Sequence, residues 1–397
     1  MNTRVLLAGL CIGLLVAGVG IGLAAGQTDT AKGTTTAPAS SATVASSLSD
    51  TNGTQTVIVR LTKQPERAIS AASHDSRIGR LKTHAAATQS PFERFAEGNP
   101  HVEIKRSFWL TNALVVTVDI DHISLEQLGI VDNVEAIHAN HKVTSATATV
   151  GPATATHSLQ PKQAVQTPPA MQQVTTATET TAGLQLINVP VAWAYTRGAN
   201  ASIAVLDTGV DPNHPDINID PARWNDWDKK GNPRDTTPRD YGSHGTHVTG
   251  IAVGGDASGT HIGVAPETTL YAGAALNQNC RKTCTGTTAQ LLAGMQWAVK
   301  QNVDVISMSL GGTEESDNYL DKTIKAVRNA EAAGTVVVAA SGNTEAGSTT
   351  SPGNVYDAIS VGATRGGNTV ADFSSSAVVR ADAWNTPPAD WPETYTV

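Results

Sequence analysis

Hydrophobic and polar positions divide the chain into five stretches. From Val5 to Ala25 it is apolar and uncharged, with Arg4 before it and Gly22-Leu23-Ala24-Ala25-Gly26 closing it. A basic start, an apolar run and a small-residue exit describe a secretory signal over 1–26. The run is also long enough for an uncleaved anchor. Cleavage is the preferred reading, and either way the remainder is exported. Residues 27–54 are mostly Thr, Ala and Ser and read as a linker that cannot bury a core. Alternation then begins, and Val57, Val59 and Leu61 predict a strand. A helical period over Ile78 to Phe95 is broken by Pro91. Strands follow at Val102 to Phe108 and Ala113 to Val118, then a short helix at Leu125 to Leu128 and a last strand at Val134 to Val143. The order β-α-β-β-α-β over 55–145 predicts a small α+β domain. Residues 146–182, rich in Thr, Ala, Gln and Pro, read as a second linker.

From 183 to 397 strands and helices alternate. Strands are predicted at Ile203 to Leu206, Thr269 to Ala272, Val303 to Met308, Val336 to Ala340 and Ala358 to Val361. Helices are predicted at His244 to Val253, Ala289 to Lys300 and Leu320 to Ala333. Apolar strands separated by helices imply an α/β domain whose mostly parallel sheet is covered on both faces.

Composition narrows the function. The formal net charge of −8 leaves nothing to neutralise phosphates, which excludes a nucleic-acid partner. Of the three cysteines, Cys11 lies in the apolar run, while Cys280 and Cys284 stand together in Cys-Arg-Lys-Thr-Cys. A local disulfide suits an exported chain, with two free thiols as the alternative. Two cysteines without a nearby His offer too few ligands for zinc.

Two motifs carry candidate chemistry. Val205-Leu206-Asp207-Thr208-Gly209 puts a carboxylate at the carboxyl end of a buried strand, where open α/β sheets hold their sites. The same residues also suit a plain strand-ending turn. Asp-Thr-Gly opens the active-site loop of aspartic proteases as well, but those need a second such loop, which this sequence lacks. Ser243-His244-Gly245-Thr246-His247 puts two histidines at a helix start. Zinc would need further ligands, and no His-Glu-x-x-His occurs, so a placed general base is the better reading. Asp226 and Asp228, in a Trp-rich charged insertion, read as solvated loop residues, with a separate bound ion as the alternative.

Asp207, then His-Gly-Thr-His at His244, then Gly263-Val264-Ala265-Pro266 resemble the subtilisin family of serine proteases (peptidase S8). Ser307-Met308-Ser309-Leu310-Gly311-Gly312, Ala340-Ser341-Gly342-Asn343, Ser360-Val361-Gly362-Ala363 and Asp372-Phe373-Ser374-Ser375 continue the likeness in the family's order. It covers about Val189 to Ser376. The resemblance implies a subtilisin-like three-layer α/β fold over 183–397, and the roles follow residue by residue. His244 would be the base that deprotonates a serine and returns the proton to the leaving amine. Asp207 would fix its tautomer, and Asn343 would donate to the oxyanion. Ser309, Leu310, Gly311, Ala340, Ser341 and Gly342 would bind an extended polypeptide, and His247 would be structural. No cofactor is implied for the chemistry. A structural calcium is implied at Asp216, although Ala257 stands where the family often has Asn. The domain at 55–145 resembles the family's inhibitory propeptide, which would be an intramolecular inhibitor of an otherwise monomeric protein. An unrelated adhesion module is the alternative.

The sequence departs from the family at one decisive place. The serine-bearing Gly-Thr-Ser-Met-Ala segment does not occur in these 397 residues. The expectation is a C-terminally incomplete domain, inactive by itself, with apolar sheet faces left uncovered. A non-catalytic peptide-binding module is the competing expectation.

Overall fold

The computed structural model describes residues 42–48, 51–62, 73–146, 179–312, 321–365, 369–384 and 387–397. The expected export signal and most of both expected linkers lie outside these residues. Among the described residues no helix is long and apolar enough to cross a membrane.

The N-terminal lobe is a five-stranded sheet in the order Thr43–Val44, Val134–Ala139, Thr54–Leu61, Ala113–Asp119, Val102–Phe108. The strand Thr54–Leu61 is its spine, antiparallel to a neighbour on each side. Val57, Val59 and Leu61 bury against Phe92, Leu114, Val116, Leu128 and Ile137. Two helices cover this face. His74–Glu97 starts at Ser73, whose hydroxyl accepts the Ser76 amide, and Leu125–Gly129 starts in a capping box between Ser124 and Gln127.

Three expectations are corrected here. The fold begins before residue 55: Thr43–Val44 pairs in parallel with Val134–Ala139, and Leu48 is buried in the lobe's core. Leu48, with Val44, Ala42 and Ala45 packed beside it, was enough once a sheet edge could receive the backbone. Pro91 does not break its helix, which runs unbroken from His74 to Glu97. The cost of the lost backbone donor is offset by anchors on both sides of it. Phe92 is fully buried, and Gln89 donates to the Phe108 carbonyl and to Asn112. The single strand expected at Val134 to Val143 is two, Val134–Ala139 and Lys142–Ser145, and the second belongs to another sheet.

The other face of the lobe's sheet is also apolar. Ile58, Phe108, Leu110 and Val115 share one buried cluster with the helices Thr288–Lys300 and Asp321–Ala333 of the C-terminal lobe. Each such side chain contributes about 1.5–3 kcal/mol when fully buried. Polar contacts fix the register. The Gln296 side-chain oxygen accepts from the Trp109 and Leu110 amides at 2.8 and 3.0 Å, and Asn329 donates to the Leu110 carbonyl.

The C-terminal lobe is built on a six-stranded sheet in the order Ile359–Val361, Val336–Ala340, Val305–Met308, Ser202–Asp207, Thr269–Ala274, Trp224–Asp226. Every pairing in it is parallel. Alternation along Ser202–Asp207 makes the layers: Ala204 and Leu206 point into the cluster under Thr288–Lys300, while Val205 packs with Val253 of the helix His244–Val253. The chain leaves Ser202–Asp207 first to one side and later to the other. The carboxyl end of that strand is therefore a switch point, where crevices form.

The edge strand Trp224–Asp226 was not expected, and it overturns the reading of Asp226 as solvated. Asp226 is fully buried and accepts from Tyr241 Oη at 2.7 Å and Asn277 Nδ2 at 2.5 Å. Asp228 is half-buried and organises a turn by accepting the amides of Lys230 and Asn232. At the opposite edge, Ile359 and Val361 are about half exposed. The Trp- and Pro-rich stretch beyond Ser376 forms a hairpin, Val378–Arg380 with Thr394–Thr396. Its Trp384, Trp391 and Tyr395 join the main core.

Candidate active site

Asp207 ends the central strand and is fully buried; His244 is the first residue of its helix. The imidazole Nδ1–H donates to Asp207 Oδ1 at 2.7 Å, and the Thr208 amide donates to the same oxygen at 2.7 Å. Burial works against a charged His244, but the hydrogen bond and charge of Asp207 outweigh it. Asp240 and the Ala146 backbone add to this, so the imidazole is held above its ordinary value. A ring fixed in this tautomer, with its other nitrogen facing a cleft, is equipped to take up a proton and give it back.

The helix that presents His244 has an unusual start. Ser243, in the left-handed region, offers no side-chain cap. The free amides of the first turn are satisfied from elsewhere. Asp240 Oδ2 accepts the Thr246 amide at 2.7 Å and its hydroxyl at 2.5 Å, while Asp240 Oδ1 accepts the Thr208 hydroxyl at 2.6 Å. Thr208 Oγ1 in turn accepts the Gly245 amide at 2.7 Å. A Cβ at Gly245 would collide with the Gly209 carbonyl oxygen, so only glycine lets the helix start press against the Asp207 turn. Asp240 and Thr208 were missed in the sequence. The available signal was an acidic residue shortly before a helix that lacks an ordinary N-cap. Asp240→Asn is expected to cost about 1–2 kcal/mol and to lower the His244 pKa. Thermal unfolding and an NMR titration of the imidazole would read both; unchanged curves would remove Asp240 from this role.

The cleft beside His244 has a volume of about 480 Å³, and its walls include Ala146, Ser309, Ala340, Gly342 and Asn343. Gly342, at φ +124°, turns the chain sharply after the strand Val336–Ala340 and brings Asn343 to the wall. Ser341 is buried, its hydroxyl donating to the Ser375 carbonyl at 2.8 Å. Leu310–Gly311 forms one side of a three-stranded sheet and Thr285–Thr287 the other. Between them, antiparallel to both, runs Lys142–Ser145. Ser145 lies opposite Leu310, and Thr144 lies opposite both Gly311 and Thr285. The Ala146 amide donates to the Ser309 carbonyl at 2.8 Å. Val143 is fully buried in the cluster that holds Leu276 and Leu310. The Thr285–Thr287 wall was not legible, because Thr-Gly-Thr after a cysteine pair carries no strand signal.

The remaining expected residues lie apart from this cleft. Cys280 and Cys284 form a disulfide that closes the loop before Thr285. Asp216 is buried; its Oδ1 accepts the Ser258 amide at 2.9 Å, and its carbonyl accepts the Gly255 amide at 2.8 Å. These bonds fold the 255–261 loop. Among the described residues Asp216 belongs to no group of three His, Cys, Asp or Glu ligands. Asp216 Oδ2 and the carbonyls of this loop are oxygens of the kind calcium takes, and the clasp holds the loop closed by hydrogen bonds alone.

Residues 198–388 match the model of the subtilase family, Peptidase S8. A subtilisin of Bacillus pumilus is 37% identical over 205 residues, covering 49% of this chain and 68% of the relative. An intracellular serine protease of Paenibacillus polymyxa is 36% identical over 202 residues, covering 49% of this chain and 59% of its own length. Subtilisin E of Bacillus subtilis is 37% identical over 205 residues, with 49% of each chain covered. The chain thus spans about half to two thirds of the length of these relatives.

Proposed function

Because the chain belongs to the subtilase family, the subtilisin-like serine proteases, we propose that it is the precursor of a secreted serine endopeptidase whose own residues 142–146 occupy the substrate cleft. The observation that carries this reading is the 2.7 Å Asp207–His244 pair facing a peptide held as an antiparallel strand. Substrate polypeptides would bind in the same way, through their backbone. His244 would deprotonate the attacking serine, Asp207 would stabilise the imidazolium, and Asn343 would donate to the oxyanion. The residues at 42–146 would act as the inhibitory lobe. A maturation cut at the bond after Ala146 is supported by the Ala146 amide on Ser309 and the Ala146 backbone beside His244. We assign the maturation cut to that bond.

A second reading takes these 397 residues by themselves as a peptide clamp without turnover, supported by the strand Lys142–Ser145 and Ala146 already lying along the cleft. The purified chain is expected to leave casein intact and to keep the bond after Ala146 uncut, as read by mass spectrometry. Turnover blocked by a serine-directed fluorophosphonate would overturn that. Joined to the serine-bearing segment of a related subtilisin, the chain is expected to cut itself after Ala146, and His244→Ala to abolish the cut. Self-cleavage at another bond, or cleavage undiminished in His244→Ala, would sink the endopeptidase reading.

A further inference from the structure

The N-terminal lobe gathers three metal-ligating side chains that the proposed protease chemistry does not use. His101 stands just before the strand Val102–Phe108, Asp119 ends the strand Ala113–Asp119, and His122 follows in the turn to Leu125–Gly129. Backbone bonds fix all three positions. The Asp119 amide donates to the His101 carbonyl at 2.9 Å, and the His122 amide donates to the Asp119 carbonyl at 3.2 Å. Asp119 Oδ1 accepts the Asp121 amide, so Oδ2 is left to face the rings. It lies 2.8 Å from His122 Nδ1 and 3.6 Å from His101 Nδ1. The two imidazoles stack in parallel, with centroids 4.3 Å apart and planes 3° from coplanar. One ligand atom from each residue lies within 4.8 Å of the other two, and among the described residues no other trio of His, Cys, Asp or Glu does this.

We propose that His101, Asp119 and His122 form a binding site for a divalent transition-metal ion of the zinc type. Two imidazoles and one carboxylate are the donor set such ions select, whereas calcium and magnesium take oxygens. Bonds of about 2.0–2.2 Å put neighbouring ligand atoms roughly 3.3 Å apart in a tetrahedral site. The 3.6 Å pair is already near that spacing and the 2.8 Å pair is inside it, while no pair lies beyond 4.8 Å, so partly exposed side chains reach it by shifts of about 1.5 Å or less. Water completes the shell. The ion would tie the start of one strand, the end of its neighbour and the turn before a helix. Because it binds the folded lobe and not the unfolded chain, it stabilises the lobe by mass action. The site does not depend on how the cleft is read.

The test uses the full 397-residue chain. Zinc chloride titrated by calorimetry is expected to fill one high-affinity site and to raise the unfolding temperature, and EDTA to reverse the rise. His101→Gln and His122→Gln are each expected to weaken binding at least tenfold. Asp119→Asn is expected to do the same. The metal-free unfolding temperature of the two histidine variants should stay unchanged, because both rings are substantially exposed. NMR gives an independent reading: zinc should shift the ring protons of two histidines first. Absence of zinc binding, or equal affinity in the double histidine variant, would overturn the proposal. So would first shifts on other histidines.

Discussion

Phe108→Ala is expected to lower the unfolding free energy by about 3–5 kcal/mol, the range for truncating a fully buried aromatic that leaves a cavity. Phe108 ends a strand of the N-terminal lobe but belongs to the cluster filled by Leu291, Leu292 and Met295 of the other lobe. Its backbone carbonyl accepts from Gln89, a bond the substitution keeps. The loss should therefore come from the seam between the lobes. Phe92→Ala is the control. It removes an equal volume from the lobe's own core, on the opposite face of the same sheet. Urea unfolding followed together with limited proteolysis separates the two cases. Phe108→Ala should loosen the joint and expose the bond after Ala146, while Phe92→Ala should unfold the lobe itself. A loss under about 1 kcal/mol for Phe108→Ala would mean that the seam is not held by packing.

That seam also marks where the sequence was hardest to read. In Thr54–Leu61 the alternation of Val57, Val59 and Leu61 points to one buried face. Ile58 and Arg60 between them belong to a face that is buried only because another lobe covers it. Periodicity reports which face is apolar but not what lies opposite it. The same limit hid the end of the lobe. Val134 to Val143 looks like one apolar run, yet Asn140 and His141 turn out of the first sheet. The Asn140 side-chain oxygen accepts the Ala289 amide, and the His141 carbonyl accepts that of Thr288, at the start of the helix Thr288–Lys300. Those bonds steer Lys142–Ser145 into the cleft. The parallel sheet was easier to read, because each of its inner strands is apolar on both faces and can go nowhere else.

For the site, Asp207 and His244 were readable because each stands at the end of a strong element, a buried strand and a helix. Asp240 was harder to read, since its partners Thr208 and Thr246 lie on other elements and only folding brings two acceptors, Asp240 Oδ2 and Thr208 Oγ1, onto one helix start. Asp226 was misjudged for a related reason. A charged residue in a polar stretch reads as solvated until Tyr241 and Asn277, distant in sequence, are seen to satisfy it.

Acid is expected to weaken the hold of the N-terminal lobe, starting below the ordinary imidazole value of about 6.5. His138 is almost completely buried, and burial pushes its pKa well down. The positive charges of Lys322, Arg60, His141 and Lys325 add to this. His141 is lowered to about 4 by burial and then by Lys322. Glu135, paired with Arg60 and Lys325, is the anion on the same strand as His138. Between the two pKa values the unfolded or undocked chain binds protons that the docked chain refuses, so stability rises with pH there. It is full above about pH 6.5 and falls away as the pH drops toward 4. His244 acts in the opposite sense. Its raised value adds stability at low pH that fades only as the pH climbs through that value, so it does not produce the acid loss. For His141 alone the loss by pH 4 is on the order of 2 kcal/mol after allowing for solvent screening. Urea midpoints measured from pH 8 to pH 4 should trace this fall. Replacing both His138 and His141 by Asn should flatten it, because neither position then gains a proton on release. A midpoint that holds steady across that window in the unaltered chain would show that these imidazoles are not what couples the lobes to pH.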